Sequence, residues 1–297
     1  MLSVLIPSYN YNFFPLVKEL HQQLNNENIS FEIICIDDAS ELKFNENDEL
    51  VNLENVSHHI LEKNIGRSAI RNKLADQAVF EWLLFLDVDV FPKDSNFIKN
   101  YISVIQNSVV ESVFCGGVVY EKNTPEISKY LRWNFGRNRE QRDLISRLKN
   151  PYKTFFSSNF LINKQLFNTI NFNKEISLYG YEDVVFSLDL KKSGFIINHI
   201  ENSVYHLGLE SNIDYLRKTK VAIENLKLLS EKKIILNNDV KLLRTYKNIN
   251  MFYFDYLLGG LYQFFGRYLE KYLIKGKSKL FMFDFFKISY ISYIYRN

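Results

Sequence analysis

The stretch Glu81–Pro92, EWLLFLDVDVFP, constrains this chain more than any other. Apolar and aromatic residues fill Trp82 to Leu86 without helical periodicity, which reads as a buried strand. The run stops abruptly at two carboxylates, Asp87 and Asp89, one residue apart. In open α/β sheets ligands collect beyond the carboxyl ends of the strands, and paired oxygen ligands there suit a hard divalent cation. Such a cation would hold something phosphorylated. An isolated acidic turn after a strand looks the same, so the rest of the chain has to decide.

Two further strands lead to the same edge. Leu2–Ile6 is an aliphatic run stopped by Pro7, Ser8, Tyr9 and Asn10, and a helix follows, with Leu16, Val17, Leu20 and Leu24 at helical spacing. Phe31–Ile36 is a second buried strand, and it ends in Asp37 and Asp38. If these strands run parallel, all the acids leave the sheet on one side. Val56–Leu61 reads as a third strand, and Asn64-Ile65-Gly66-Arg67 as a turn launching a helix from Ser68 to about Val79. Arg67 and Arg71 sit near the start of that helix, where positive charge opposes the helix dipole unless an anion offsets it. A nucleotide phosphate would serve, and so would an ordinary solvated pairing.

Beyond the D-x-D, Phe97–Ile105 reads as helix and Ser112–Tyr120 as one strand, weakened at Gly116 and Gly117, where backbone can approach something closely. Ile127–Lys149 is basic and helical, with Arg132, Arg137, Arg139, Arg142 and Arg147. It fits either a wall over an anionic ligand or a solvated face. Pro151–Ile162 reads as loop then strand. At Leu178-Tyr179-Gly180-Tyr181-Glu182-Asp183 a glycine turn precedes an acid pair that opens a helix ending at Gly194. The helix dipole stabilises acids at that position, and a general base aimed into a cleft would also sit there. His206 closes a short strand just before Leu207 and Gly208. Imidazole beside a D-x-D favours Mn²⁺, whereas Mg²⁺ prefers oxygen ligands alone.

These residues together resemble the family 2 glycosyltransferases, nucleotide-sugar-dependent enzymes of the GT-A fold. LSVLIPSYN resembles the family's first strand and loop, FEIICIDDAS its acidic second strand end, and NIGRSAIRN its Asn-Gly-Arg turn. LFLDVDV resembles the metal-binding D-x-D and GYEDVVFSLDLKKSG the motif bearing the catalytic base, the order and spacing matching over about residues 1–210. The resemblance implies an α/β fold, a Rossmann-like mixed sheet flanked by helices. It makes Asp89 a direct ligand of Mn²⁺ or Mg²⁺ and places Asp87 toward ribose and metal, with Val88 between them at the nucleotide sugar. His206 in VYHLG would complete the metal site. Contacts to base and ribose carry over to Pro7, Tyr9, Asp38 and Arg71, and further to Asp37, Asn64 and Arg67. Asp183 would be the base, with Glu182 toward the acceptor, and Arg142 and Asn159 would line the cleft. One base without a nucleophile implies a single displacement that inverts the anomeric carbon. The partners implied are a nucleotide-sugar donor, most readily a UDP-sugar, and a saccharide or lipid-linked acceptor.

Two rivals come from other classes. Haloacid dehalogenase-like phosphatases share a hydrophobic D-x-D, but on their first strand, whereas three strand candidates precede this one. A non-catalytic glycan-binding or scaffold module is the other, and the retained acids argue against it.

Composition bounds the remainder. At 297 residues, 46% hydrophobic and 24% charged, the chain can bury a sizeable core, and a net charge of +3 gives no reason to expect nucleic acid. Cys35 and Cys115 lie inside apolar runs and read as core thiols. The start, LSVLIP, lacks a basic region and cleavage site, and no apolar stretch reaches the roughly 18 residues of a membrane span, so a cytoplasmic protein is expected. Residues 1–210 are expected to form the catalytic domain and 211–297 a helical extension. Within the latter, residues 251–297 carry seven Lys or Arg against three acids amid many Phe and Tyr. That mixture suits peripheral contact with the inner face of a membrane, or packing against the core or a second subunit.

Overall fold

The aliphatic runs that end in polar residues do form strands, and they point the same way. The computed structural model describes residues 1–107 and 112–296. Its first four strands are β1 (Leu2–Ser8), β2 (Phe31–Asp37), β3 (Val56–Ile60) and β4 (Trp82–Leu86), with helices α1 (Phe14–Asn25) and α2 (Arg67–Gln77) on the connections β1–β2 and β3–β4. The strands lie parallel in the order β3-β2-β1-β4, with Ser8 beside Asp37 and Leu5 beside Phe85. Their shared direction brings the acidic ends of β2 and β4 to one edge, as the alternation of strand and helix requires.

After β5 (Val90–Pro92) and α3 (Phe97–Gln106), the expected single strand over 112–120 is in fact two, β6 (Val113–Cys115) and β7 (Val118–Val119), which lie in different sheets. The chain leaves the large sheet at Gly116, where a Cβ would stand 2.3 Å from the Asn202 carbonyl oxygen and 2.5 Å from Asn159 Nδ2. What the glycine backbone approaches is therefore the protein itself. Helices α4 (Tyr130–Phe135) and α5 (Leu144–Lys149) follow, separated by a wider π turn over Gly136–Glu140, so the basic stretch is not one helix. Then come β8 (Asn159–Asn163), α6 (Lys164–Thr169), α7 (Glu182–Lys192), β9 (Ile197–His199) and β10 (Val204–His206). The mixed sheet is completed as β3-β2-β1-β4-β8-β6-β9, with β8 antiparallel to β4 and β6, and a small second sheet runs β5-β10-β7. Beyond it are α8 (Asn212–Glu231), α9 (Lys241–Asn250), α10 (Phe254–Lys275) and α11 (Leu280–Arg296).

The chain divides into two compact units. The first comprises Met1–Glu121, Glu140–Ser177 and Glu182–Gly208. Its core stacks Phe85 on Phe160 at 4.8 Å between ring centroids and Phe172 on Phe186 at 4.5 Å, with Phe167 beside them. Each ring of this size contributes about 1.5–3 kcal/mol by leaving water, and its neighbours fix the geometry. The second unit takes Lys122–Arg139, Leu178–Tyr181 and the chain from Leu209 onward, so two short segments from before residue 210 join the C-terminal helices. Leu131, Leu216, Leu273, Phe283 and Phe286 form its core. No helix among the described residues is long and apolar enough to cross a membrane.

The junction at Gly116 is held by buried amides. Asn159 accepts from the Tyr101 hydroxyl at 2.6 Å and donates to the carbonyls of Gly117 and Asn202 at 3.0 and 2.9 Å. Gly116→Ala therefore has nowhere to put its methyl, and a loss of about 1–3 kcal/mol in stability is expected from denaturant melts. An unchanged melting curve would mean that the junction is loose.

Candidate active site

The edge of the large sheet positions the first group of residues. Pro7, half-buried, lies in β1, and Tyr9 follows it, 46% exposed. Asp37 is buried and caps its own turn by accepting from the Ser40 N–H at 2.7 Å. Asp38 reaches the launch of α2, accepting from the N–H groups of Ile65 at 2.7 Å and Gly66 at 3.0 Å, while Asn64 donates to its carbonyl. Burial raises the Asp38 pKa above the usual carboxylate value, although those two N–H groups oppose the rise. The acid at the end of β2 thus shapes the turn that presents Arg67 and Arg71.

Those two arginines do meet an anion, and the chain supplies it. Arg71, 1% exposed, binds Asp87 through one guanidinium nitrogen and lies 4.0 Å from Glu182 through the other. Arg67 reaches Asp87 at 3.4 Å and Glu182 at 3.0 Å. Phe172 supports the Arg71 guanidinium from its ring face at 5.4 Å. Burial alone would raise the Asp87 pKa, but Arg71 and Arg67 outweigh it and hold the carboxyl below its ordinary value. The network ties the exit of β4 to the first turns of α2 and α7.

Asp183, next to Glu182 and half-buried, behaves in the opposite way. Burial first, and the Glu182 charge second, push its pKa up to about 7. A carboxylate poised near neutrality is suited to taking a proton from a substrate.

The small sheet positions the last group. Antiparallel pairing sets His206 opposite Val90, and the N–H groups of Leu207 and Gly208 both donate to the Asp89 carbonyl. His206 Nε2 consequently stands 3.5 Å from Asp89 Oδ2. Octahedral bonds of about 2.1 Å place neighbouring ligand atoms about 3 Å apart, so this pair fits two adjacent positions around one ion. Among the described residues no group of three or more His, Cys, Asp or Glu is gathered closely enough to hold a metal. Val88 is half-buried between the two acids.

Sequence reasoning erred or fell short at several positions. Asn159 does not line a cleft, because it is 0% exposed and its amide is spent on the Gly116 junction. Arg142 is exposed. Arg147 is neither a solvated charge nor part of a wall for a ligand, since it is buried and donates to the carbonyls of Cys115 at 3.1 Å and Ile200 at 2.9 Å. Two tyrosines were missed. Tyr120 stacks on the His206 imidazole at 5.3 Å and donates its hydroxyl to Glu140. Tyr11 has its pKa raised by burial first and by the Asp89 charge second. The doubled tyrosine in SYNYN was the available signal.

The fold is that of a GT-A-type glycosyltransferase. The description "Glycosyl transferase family 2" matches residues 3–170, and the chain belongs to that family. No curated protein is similar enough in sequence to match it. Among solved structures it is similar to the 1–349 fragment of S. aureus TarS, with 19% identity and a TM-score of 0.50, covering 100% of this chain and 92% of that one. The same fragment in complex with UDP-GlcNAc gives 18% identity and a TM-score of 0.50, covering 99% and 91%. A mannosyltransferase from Pyrobaculum calidifontis, PcManGT, in complex with GDP-Man and Mn²⁺, gives 12% identity and a TM-score of 0.53, covering 77% and 64%. Of a further TarS structure, at a TM-score of 0.49, this chain spans 43% of the length.

Gly208 bears directly on the contact between Asp89 and His206, because a Cβ there would stand 2.4 Å from Asp89 Oδ2 and 2.5 Å from its Cβ. Gly208→Ala should push that carboxylate aside and lower turnover on the order of a hundredfold, the usual penalty for an ångström of misplacement. Turnover equal to that of the native enzyme would show that the Asp89 position does not matter.

Proposed function

We propose that the protein transfers a sugar from a nucleoside diphosphate donor, a UDP-sugar first among the candidates, to a saccharide or lipid-linked hydroxyl with inversion at the anomeric carbon. The observation that supports this reading is the double engagement of Asp87 and Glu182 by Arg67 and Arg71, which ties the exit of β4 to the first turn of α7, where Asp183 follows Glu182. TarS binding UDP-GlcNAc and PcManGT binding GDP-Man with Mn²⁺ are in keeping with it. β4 is the fourth strand of the chain, which does not suit a phosphatase with its D-x-D on the first.

In this reading Asp89 and His206 would hold a divalent ion, Mn²⁺ or Mg²⁺, with Asp87 toward the ribose and the metal, and the bound ion would supply positive charge for the departing diphosphate. Tyr9 and Pro7 flank the base, and Asp37, Asp38 and Asn64 shape the ribose side. Arg67 and Arg71 set the position of the carboxylates. Asp183 takes the proton of the acceptor hydroxyl as oxygen attacks the anomeric carbon, and Glu182, fixed by Arg67, faces the acceptor. The helices after residue 210 are the part that would meet a membrane surface or a second copy.

Two measurements test the assignment. A screen of nucleotide sugars by thermal stability should find a UDP-sugar that stabilises the protein only with Mn²⁺ or Mg²⁺ present, by about 2.7 kcal/mol at a hundredfold excess over Kd. Proton NMR of the product should show the opposite anomer to the donor. Stabilisation by no nucleotide sugar, or retention of the anomer, would overturn the reading. Asp183 adds a pH dependence. Only the deprotonated base accepts a proton, so kcat/KM should rise with pH through about 7. Because folding raises this pKa, the folded state holds the proton to higher pH than the unfolded chain, and stability falls as pH climbs from about 4 to 7. Asp183→Asn should abolish turnover, keep donor stabilisation, and melt higher than the native protein above pH 7. Loss of donor binding in that variant would instead mark Asp183 as structural.

A further inference from the structure

Helix α10 is turned the wrong way round for a helix bathed in water. Its inward face carries Asp255, Gly259, Gly266 and Leu273, all buried and spaced to share one side. The opposite side shows Phe254, Leu257, Phe264, Phe265, Tyr268 and Tyr272, with Phe264 75% and Tyr268 72% exposed. At 1.5 Å per residue this stripe runs about 27 Å, and its rings exceed what single scattered surface aromatics explain.

Charge is arranged at one end of the stripe. Lys271, Lys275, Lys277 and Lys279 are all exposed around the α10–α11 turn and make no ion pair among the described residues. The three acids of residues 251–297 do not pair with them among the described residues. Asp255 is buried, Glu270 is engaged by Lys220 and the Tyr262 hydroxyl, and Asp284 is engaged by Arg139 and Lys287. Three of the lysines, with Tyr272, Gly276 and Ser278, line a pocket of about 270 Å³. Ser278 is 2% exposed, and its hydroxyl has no hydrogen-bond partner among the described residues. The pocket also adjoins the start of α11, and the positive end of a helix dipole favours an anion.

We propose that this face docks on an anionic lipid bilayer, the α10 rings entering the headgroup layer and one lipid phosphate seating among Lys271, Lys275, Lys277 and Ser278. Rings at headgroup depth and lysines against negative lipid are the two contributions such a surface uses. Pairing with a second copy would cover the rings but leave the lysine pocket without counter-charge. A phosphate-bearing surface satisfies both.

The test is flotation of the full chain with vesicles of phosphatidylcholine alone or mixed with phosphatidylglycerol. The protein should float with the mixed vesicles, remain behind with the neutral ones, and be released by salt. Lys275→Gln and Lys277→Gln should each weaken partitioning about fivefold. The triple change Phe264→Ser, Phe265→Ser and Tyr268→Ser should abolish it with circular dichroism unchanged. Failure of the native chain to float with the mixed vesicles overturns the proposal, as does equal flotation of folded variants. A dimer seen by light scattering that the triple change disperses, without flotation, would assign the face to a second copy. Stabilisation by inorganic phosphate without flotation would reduce the pocket to a free-anion site. Either result overturns the bilayer.

Discussion

The site depends on one buried guanidinium. Arg71 is almost wholly removed from water and lies between two carboxylates far apart in the sequence of the first unit, Asp87 from the exit of β4 and Glu182 from the start of α7. A planar fork can serve both, whereas an ammonium would act as a single point of charge. Burying these charges gains little net stability, but removing one partner leaves the others uncompensated, at about 3–5 kcal/mol. The network therefore fixes geometry more than it strengthens the fold. Through it, residues more than a hundred positions apart keep a constant spacing.

The same network explains why two neighbouring acids differ. Glu182 accepts from Arg67 at 3.0 Å, whereas Asp183 bonds the N–H of Val184 and feels the Glu182 charge without an arginine of its own in contact. The arginines hold Asp87 acidic, and burial makes Asp183 basic. The first two residues of α7 thus differ in their partners, Glu182 held by arginine and Asp183 bonded to the Val184 N–H.

The parts of this arrangement carried by local pattern were legible from the residues alone. β1, β2 and β4 announce themselves because each is a short apolar run with a sharp polar stop, and parallel pairing then gathers Asp37, Asp38 and Asp87 without further information. What pattern could not carry was the identity of partners. The arginines of α2 called for an anion, and nothing in the sequence said that Asp87 and Glu182 would supply it. Arg147 looked like one of five basic residues on a helix, yet it is the one drawn inside, where its guanidinium donates to the carbonyls of Cys115 and Ile200 at the ends of β6 and β9. The division of 112–120 between two sheets escaped for a related reason. Two glycines weaken any strand, and only the Asn159 side chain and the Asn202 backbone, distant in sequence, make this pair a crossing point.

The cysteines have a practical bearing. Cys35 in β2 and Cys115 in β6 are wholly enclosed, and burial lifts both thiols above their ordinary values, so neither offers a thiolate at the surface. Maleimide dyes and spin labels should pass the native protein by. A cysteine placed at any exposed position would then be a unique reporter, with no background to engineer away.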